Sequence, residues 1–199
     1  EIHGRVSCRG NHRGIAALYP EGASVTTGLS QHLSLGGFRL GVALVPANLE
    51  HIFNVLRSIA SETFSAVSTP IQYSVLAAFE SNRDIESYIA ECTMIHDIVT
   101  RYVWRRICAL GLDYSQPDGG FYLYPDFEPF RPWLHDIYGI GSSEELAEEL
   151  LDRCHVASLP GTAFGDEPEA LRLRLSTVDF DGIAALRYYR KDGARDEDD

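Results

Sequence analysis

From Arg83 to Leu110 the sequence carries one apolar stripe at three- and four-residue spacing: Ile85, Tyr88, Ile89, Cys92, Ile95, Val99, Tyr102, Val103, Ile107 and Leu110. That spacing predicts a single amphipathic helix. Gly111 stands where a helix of this length would end. A helix of about 28 residues spans about 42 Å. This is long for a small globular domain and suits a helix that links two domains. The rest of the chain has to be arranged around it.

Before the helix, Ser24 to Gly28 and Phe38 to Val45 read as short strands, the second stopped by Pro46. Ala47 to Thr63 has helical spacing through Leu49, Ile52, Phe53, Leu56 and Ile59. Pro70 opens another helix at a first-turn position that proline tolerates. After the long helix, Phe121 to Tyr124 reads as a strand behind the turn Pro117-Asp118-Gly119-Gly120. Ser142-Ser143-Glu144-Glu145 has capping-box spacing and predicts a helix to Arg153. Val156 to Leu159 and Leu171 to Ser176 read as strands, and Phe180 to Arg190 as a last helix. Strands and helices mixed in this order imply an α/β protein, with a division near residues 60 to 85.

With 45% hydrophobic and 11% aromatic residues in 199, a packed core is expected. The net charge of -12 argues against nucleic-acid binding, which needs cations to neutralise phosphates. It leaves room for a small anionic ligand in a locally basic pocket. Cys8, Cys92, Cys108 and Cys154 are scattered and form no CxxC pair, so neither a metal site nor a disulfide framework is expected. A reducing, cytoplasmic setting is the matching expectation. No apolar run reaches membrane-spanning length, and Glu1 to Arg5 lacks a signal-peptide layout. The end, Asp196-Glu197-Asp198-Asp199, reads as a solvated, disordered acidic tail. The start at Glu1, with no methionine, reads as cut from something longer.

Two stretches carry candidate chemistry. The first, Thr27 to Gly41, is a polar, glycine-rich loop after a strand. Its amides could form an anion-binding nest, and Arg39 supplies a permanent forked cation suited to phosphate. The alternative is a surface hairpin with a solvated arginine. The second stretch runs from Leu159-Pro160-Gly161-Thr162-Ala163-Phe164-Gly165 to Leu173-Arg174-Leu175-Ser176. Arg174 is either a carboxylate ligand or an ordinary strand-end arginine in a salt bridge. Arg172 shares its alternation face.

Ser30-Gln31-His32-Leu33-Ser34-Leu35-Gly36-Gly37-Phe38-Arg39-Leu40-Gly41 resembles the lysine motif Ser-Lys-x-x-Ser-x-Gly-Gly-x-Arg-x-Gly of class I/II aminotransferases. Every fixed position matches except the lysine, which is Gln31. Glu1-Ile2-His3-Gly4, Tyr19-Pro20-Glu21-Gly22, Ser68-Thr69-Pro70-Ile71-Gln72 and Gly119-Gly120-Phe121-Tyr122 resemble further family segments in the right order. So do Pro160 to Gly165 and Arg174-Leu175-Ser176, and the resemblance covers roughly residues 1 to 190.

The resemblance implies the C-terminal part of a fold type I, pyridoxal-phosphate (PLP)-dependent transferase: the end of the large domain plus an α+β small domain. Residues 1–65 would be a remnant of the PLP-binding large domain, 66–190 the linking helices and small domain, and 191–199 the acidic tail. It implies pyridoxal 5'-phosphate as cofactor, non-covalent at best here, with an amino acid or 2-oxo acid as substrate. It also implies Ser30 as a cofactor-binding residue, Arg39 as the phosphate ligand and Arg174 as the ligand of the substrate α-carboxylate. His3 stands where a tyrosine hydrogen-bonds the cofactor's phenolic oxygen, and Gln31 where the catalytic Schiff-base lysine belongs. Gly28 stands where some members carry a phosphate-binding serine.

Glutamine is neither nucleophilic nor basic near neutrality. Gln31 therefore predicts loss of independent transamination. His32 could titrate near neutrality, but on an extended segment it would face away from the Gln31 side. Four readings stay open. The chain is an inactive aminotransferase-derived protein, as a degenerate gene product, a pseudoenzyme or one half of a split enzyme, with a homodimer or a complementing N-terminal half as its partner. Or it is a working PLP enzyme whose first half lies outside this sequence, with its lysine replaced deliberately to trap an intermediate. Or it is a scaffold that uses the small domain and long helix. Or it is a phosphate-ligand sensor built on Arg39.

Overall fold

The computed structural model describes residues 2–7, 12–80, 82–112 and 114–193. The acidic tail, Cys8 and the strand end expected over Glu1 to Asn11 lie wholly or partly outside these residues. The chain divides by contacts into two compact units, Glu1–Met94 and Ile95–Asp199. The division falls inside the long helix, whereas the sequence-based boundary at residue 65 follows family layout.

In the first unit, the short helix α1 (Ile15–Leu18) precedes β1 (Val25–Gly28) and β2 (Gly41–Leu44). The strands pair antiparallel, with Val25 opposite Leu44 and Gly28 opposite Gly41. Phe38 does not begin a strand. Gly36–Phe38 is a 3-10 turn and Arg39 takes the left-handed conformation (φ 51°, ψ 41°), which delays strand pairing to Gly41. Leu29 is buried where β1 ends. Another 3-10 turn, Ala47–Leu49, leads into α2 (Glu50–Thr63). This is the helix its spacing predicts, yet none of its residues is buried, and Phe53, Val55 and Ile59 are 46%, 56% and 54% exposed. Pro70 sits in the first turn of α3 (Thr69–Ser74), and α4 (Leu76–Phe79) follows.

The long helix, α5 (Arg83–Ala109), runs within one residue of its predicted end, and Gly111 takes φ 90° just beyond it. Its buried stripe includes Ile89, Ile95 and Ile107.

In the second unit, β3 (Tyr122–Leu123) is followed by α6 (Arg131–Tyr138) and α7 (Ser143–Cys154). Sequence patterning missed α6, whose eight residues offer barely two turns of periodicity. The capping box of α7 is formed: the Ser142 side chain accepts from the Glu145 N–H, and the Glu145 carboxylate accepts from the Ser142 N–H. The strand expected over Val156 to Leu159 shrinks to β4 (Leu159–Pro160), because His155 leaves α7 in a left-handed conformation and Val156 caps it through Leu150. The central strand is β5 (Leu173–Ser176), antiparallel to both β3 and β4. The last helix, α8 (Gly182–Asp192), starts two residues later than expected, with Asp181 as its N-cap.

Alternation along β5 and its approach sends Leu171 and Leu173 inward, each fully buried. They join Leu134, Ile140 and Leu146 in one core cluster, while Leu123, Leu112 and Ile107 form a second. The opposite face of the sheet carries Tyr122, Tyr124, Arg172 and Arg174, all partly exposed. A buried Thr100–Thr177 hydroxyl pair (2.7 Å), with Thr177 donating to the Phe121 carbonyl, fixes α5 to the end of this sheet.

Candidate functional site

The loop after β1 closes on itself. Leu29 to Leu33 is a bend and hydrogen-bonded turn rather than an extended segment, and the Leu35 N–H returns to the Leu29 carbonyl at 3.2 Å. Strand alternation therefore does not set the direction of His32, contrary to the expectation from an extended segment. His32 lies half-buried near the Arg5–Glu86 ion pair. Burial lowers its pKa first, Arg5 lowers it further, and Glu86 opposes them.

The candidate phosphate ligands come together around Gly36. A Cβ placed on Gly36 would lie 3.9 Å from the Ser30 Cβ, and the Arg39 guanidinium donates to the Gly36 carbonyl at 2.9 Å. Gly36 and Gly37 lack positive φ values, and a Cβ on Gly37 would meet nothing within 4 Å. Neither backbone conformation nor packing within the chain demands glycine at 37. What its lack of a side chain leaves is open backbone beside an exposed arginine. Gly28 is different: a Cβ there would sit 3.1 Å from the Leu40 carbonyl oxygen and 3.6 Å from Ile2 Cδ1, so a serine would crowd the strand pair. The Ile2 contact also brings the turn that bears His3 against the end of β1. Gln31 is partly buried in the turn, and its amide makes no hydrogen bond among the described residues. A PLP phosphate would fit this loop. Its aldehyde would find no amine at position 31.

Arg174 belongs to the second unit, on β5. Its guanidinium carbon lies over the Tyr122 ring at 4.4 Å and over the Phe164 ring at 4.6 Å. Among the described residues it has no acidic partner. Arg172, on the same face, pairs with Asp126 at 3.0 Å and Asp166 at 3.5 Å. The Asp126 side-chain hydrogen bond is the first cause of its raised pKa. Of two arginines with one alternation phase, one is ion-paired and the other stacks on rings.

The turn beside Arg174 is tightly braced. The Tyr124 hydroxyl donates to Asp166 at 2.8 Å, and Thr162 donates to Glu144. A Cβ on Gly161 would stand 2.7 Å from Asp166 Oδ2, 3.0 Å from the Tyr124 hydroxyl and 3.2 Å from the Arg172 carbonyl oxygen, so a side chain there would displace the Tyr124–Asp166 pair. Sequence reasoning missed Tyr122, Phe164 and the Asp126–Arg172–Asp166 set. The even-numbered run Tyr122, Tyr124, Arg172, Arg174 was the available signal for a shared face.

Among the described residues no group of three or more His, Cys, Asp or Glu could hold a metal ion, and no helix is long and apolar enough to cross a membrane. Cys92, Cys108 and Cys154 form no disulfide among the described residues.

Comparison with known proteins gives the family and the fold. The family model described as aminotransferase class I and II matches residues 4–186. The probable aspartate/prephenate aminotransferase of Aquifex aeolicus is 28% identical over 169 residues, covering 81% of this chain and 39% of the relative. The aspartate aminotransferase of Bacillus subtilis is 29% identical over 181 residues, covering 89% and 44%. A solved tetra mutant of Thermus thermophilus aspartate aminotransferase superimposes with a TM-score of 0.76 at 22% identity, covering 96% of this chain and 49% of that one. The chain thus spans less than half the length of the curated relatives it matches. It belongs to the class I and II aminotransferases, a PLP-dependent family, and has the fold of the corresponding part of a fold type I enzyme.

Proposed function

We propose that this protein is an aminotransferase-family chain that keeps anion-binding groups for cofactor and substrate and has lost the amine that transamination requires. The observation that carries the proposal is the side chain at position 31, an amide in an otherwise matching motif. Lys191, on α8 of the second unit, is the only lysine in the sequence, so the unit that carries Gln31 holds no lysine to replace the lost one.

Pyridoxal 5'-phosphate, where bound, supplies the electron sink for amino-group transfer between an amino acid and a 2-oxo acid. In this chain Ser30, the open backbone at Gly37 and Arg39 would hold its phosphate, and His3 would donate to its phenolic oxygen. Arg174 would bind a substrate carboxylate as a bidentate fork. Gln31 can donate or accept a hydrogen bond at the same place but cannot move a proton. The role that remains is non-covalent binding, as in a pseudoenzyme. A second reading, in which the chain works assembled as a homodimer or with a complementary polypeptide, is favoured by the exposed apolar side of α2.

The test is a PLP titration of the purified chain, read by thermal shift and by the visible band of a borohydride-fixable adduct. Stabilisation without a fixable band supports the proposal. No stabilisation overturns cofactor binding. A borohydride-fixed adduct at Lys191 or the N-terminal amine that forms one-to-one with the thermal stabilisation overturns the loss of covalent chemistry, since these are the only primary amines of the chain.

A further inference from the structure

The outer face of the second unit's sheet treats its two arginines differently. Arg172 is held by carboxylates and its charge is spent within the protein. Arg174 is held by ring faces, Tyr122 diagonal to it on β3 and Phe164 at the end of the 3-10 turn Gly161–Phe164. A ring face attracts a cation within about 6 Å without neutralising it. It also contacts the guanidinium through its face, which leaves the N–H edge available for a planar acceptor.

Phe164 does not act as ordinary core. It remains 45% exposed, and its turn is fixed from beneath by Gly161, Tyr124, Asp166 and the Thr162–Glu144 bond. A rigid turn that presents an exposed phenyl ring to an arginine without an acidic partner suits a binding surface. Tyr122 meets the same guanidinium from the other neighbouring strand, since β5 pairs with β3 on one side and β4 on the other.

We propose that Tyr122 and Phe164 are positioning residues. They form an aromatic clamp that fixes the Arg174 fork for a ligand's carboxylate while keeping its charge uncompensated. The inference rests on the reading of Arg174 as a carboxylate ligand. It deepens that reading by naming what orients the arginine. Removing a ring face leaves the charge in place but frees the side chain, so affinity falls while the binding group survives.

The experiment titrates the full chain with maleate and follows the Arg174 Nε–Hε resonance by NMR. Tyr122→Leu and Phe164→Leu keep apolar bulk and remove the π face, Tyr122→Phe keeps the ring, and Arg174→Ala removes the group. Wild type and Tyr122→Phe are expected to bind alike. Each leucine variant should bind roughly three- to tenfold more weakly, with a sharper, more averaged Arg174 signal in the free state. Maleate binding that Arg174→Ala abolishes but neither leucine variant weakens would overturn the clamp and leave the carboxylate reading standing. Wild-type protein whose Arg174 signal does not respond to maleate would overturn the carboxylate reading and the clamp with it.

Discussion

At the scale of single residues, the decisive one is Gln31. Nothing in the described chain hydrogen-bonds its amide, so lysine is expected to be accepted there without loss of fold. With PLP added, Gln31→Lys should gain a borohydride-fixable adduct at position 31 that the wild type lacks. Peptide mapping reads it directly, because Lys191 is the only competing lysine. Failure to gain it would mean that the pocket, and not the lost amine, limits covalent binding. Position 31 was legible in the sequence because a motif fixes residue types at fixed spacing. The neighbouring His32 was misjudged, because alternation holds for strands and Ser30 to Leu33 is a turn. The split between Arg172 and Arg174 was out of reach for a different reason. It depends on Asp126 and Asp166, brought in from a separate segment and a separate turn, and no local pattern reports such pairings.

At the scale of elements, periodicity was readable in proportion to length. The 27 residues of α5 supply many turns of evidence, whereas α6 supplies about two. End signals were as informative as periodicity. The box at Ser142 and Glu145 starts α7 where predicted, and the Gly141 N–H hydrogen bond is the first cause of the lowered Glu145 pKa. Ser142→Ala should cost about 1 kcal/mol in chemical denaturation of the second unit, by loss of one capped donor. Gly161→Ala should cost more, because its Cβ overlaps Asp166 and disturbs the Tyr124 hydroxyl. In α2 the pattern predicted the helix but not its exposure. An apolar stripe implies a partner surface, and among the described residues of this chain α2 finds none that buries it. Leu56→Glu is therefore expected to reduce dye binding to apolar surface and concentration-dependent association in sedimentation, with helix content unchanged.

At the scale of the whole molecule, each unit carries a histidine whose pKa burial lowers, and probes within each unit should report its pH dependence separately. The second unit has two apolar clusters and a sheet whose inner face buries Leu123, Leu171 and Leu173 completely. It also contains His96 on α5, half-buried between the rings of Phe121 (5.4 Å) and Phe180 (5.8 Å). No charged group is among the causes of its shift: burial alone lowers its pKa below the ordinary 6.5, and the adjacent Asp97 is engaged by Arg101 at 2.7 Å. In the unfolded chain the imidazole takes up a proton as pH falls through 6.5, while the folded unit resists until its own lower pKa is reached. Protons then favour the unfolded state. The stability His96 allows is fully present above pH 6.5 and declines as pH drops toward the folded pKa. His32 titrates with the same sign in the first unit, so the wild-type slope contains both. His96→Phe, which keeps a ring between Phe121 and Phe180, should flatten only the part of the slope reported by probes in the second unit, such as Trp104 fluorescence. An unchanged slope at that probe would mean that His96 reaches water in the folded state and that the aromatic cage is open.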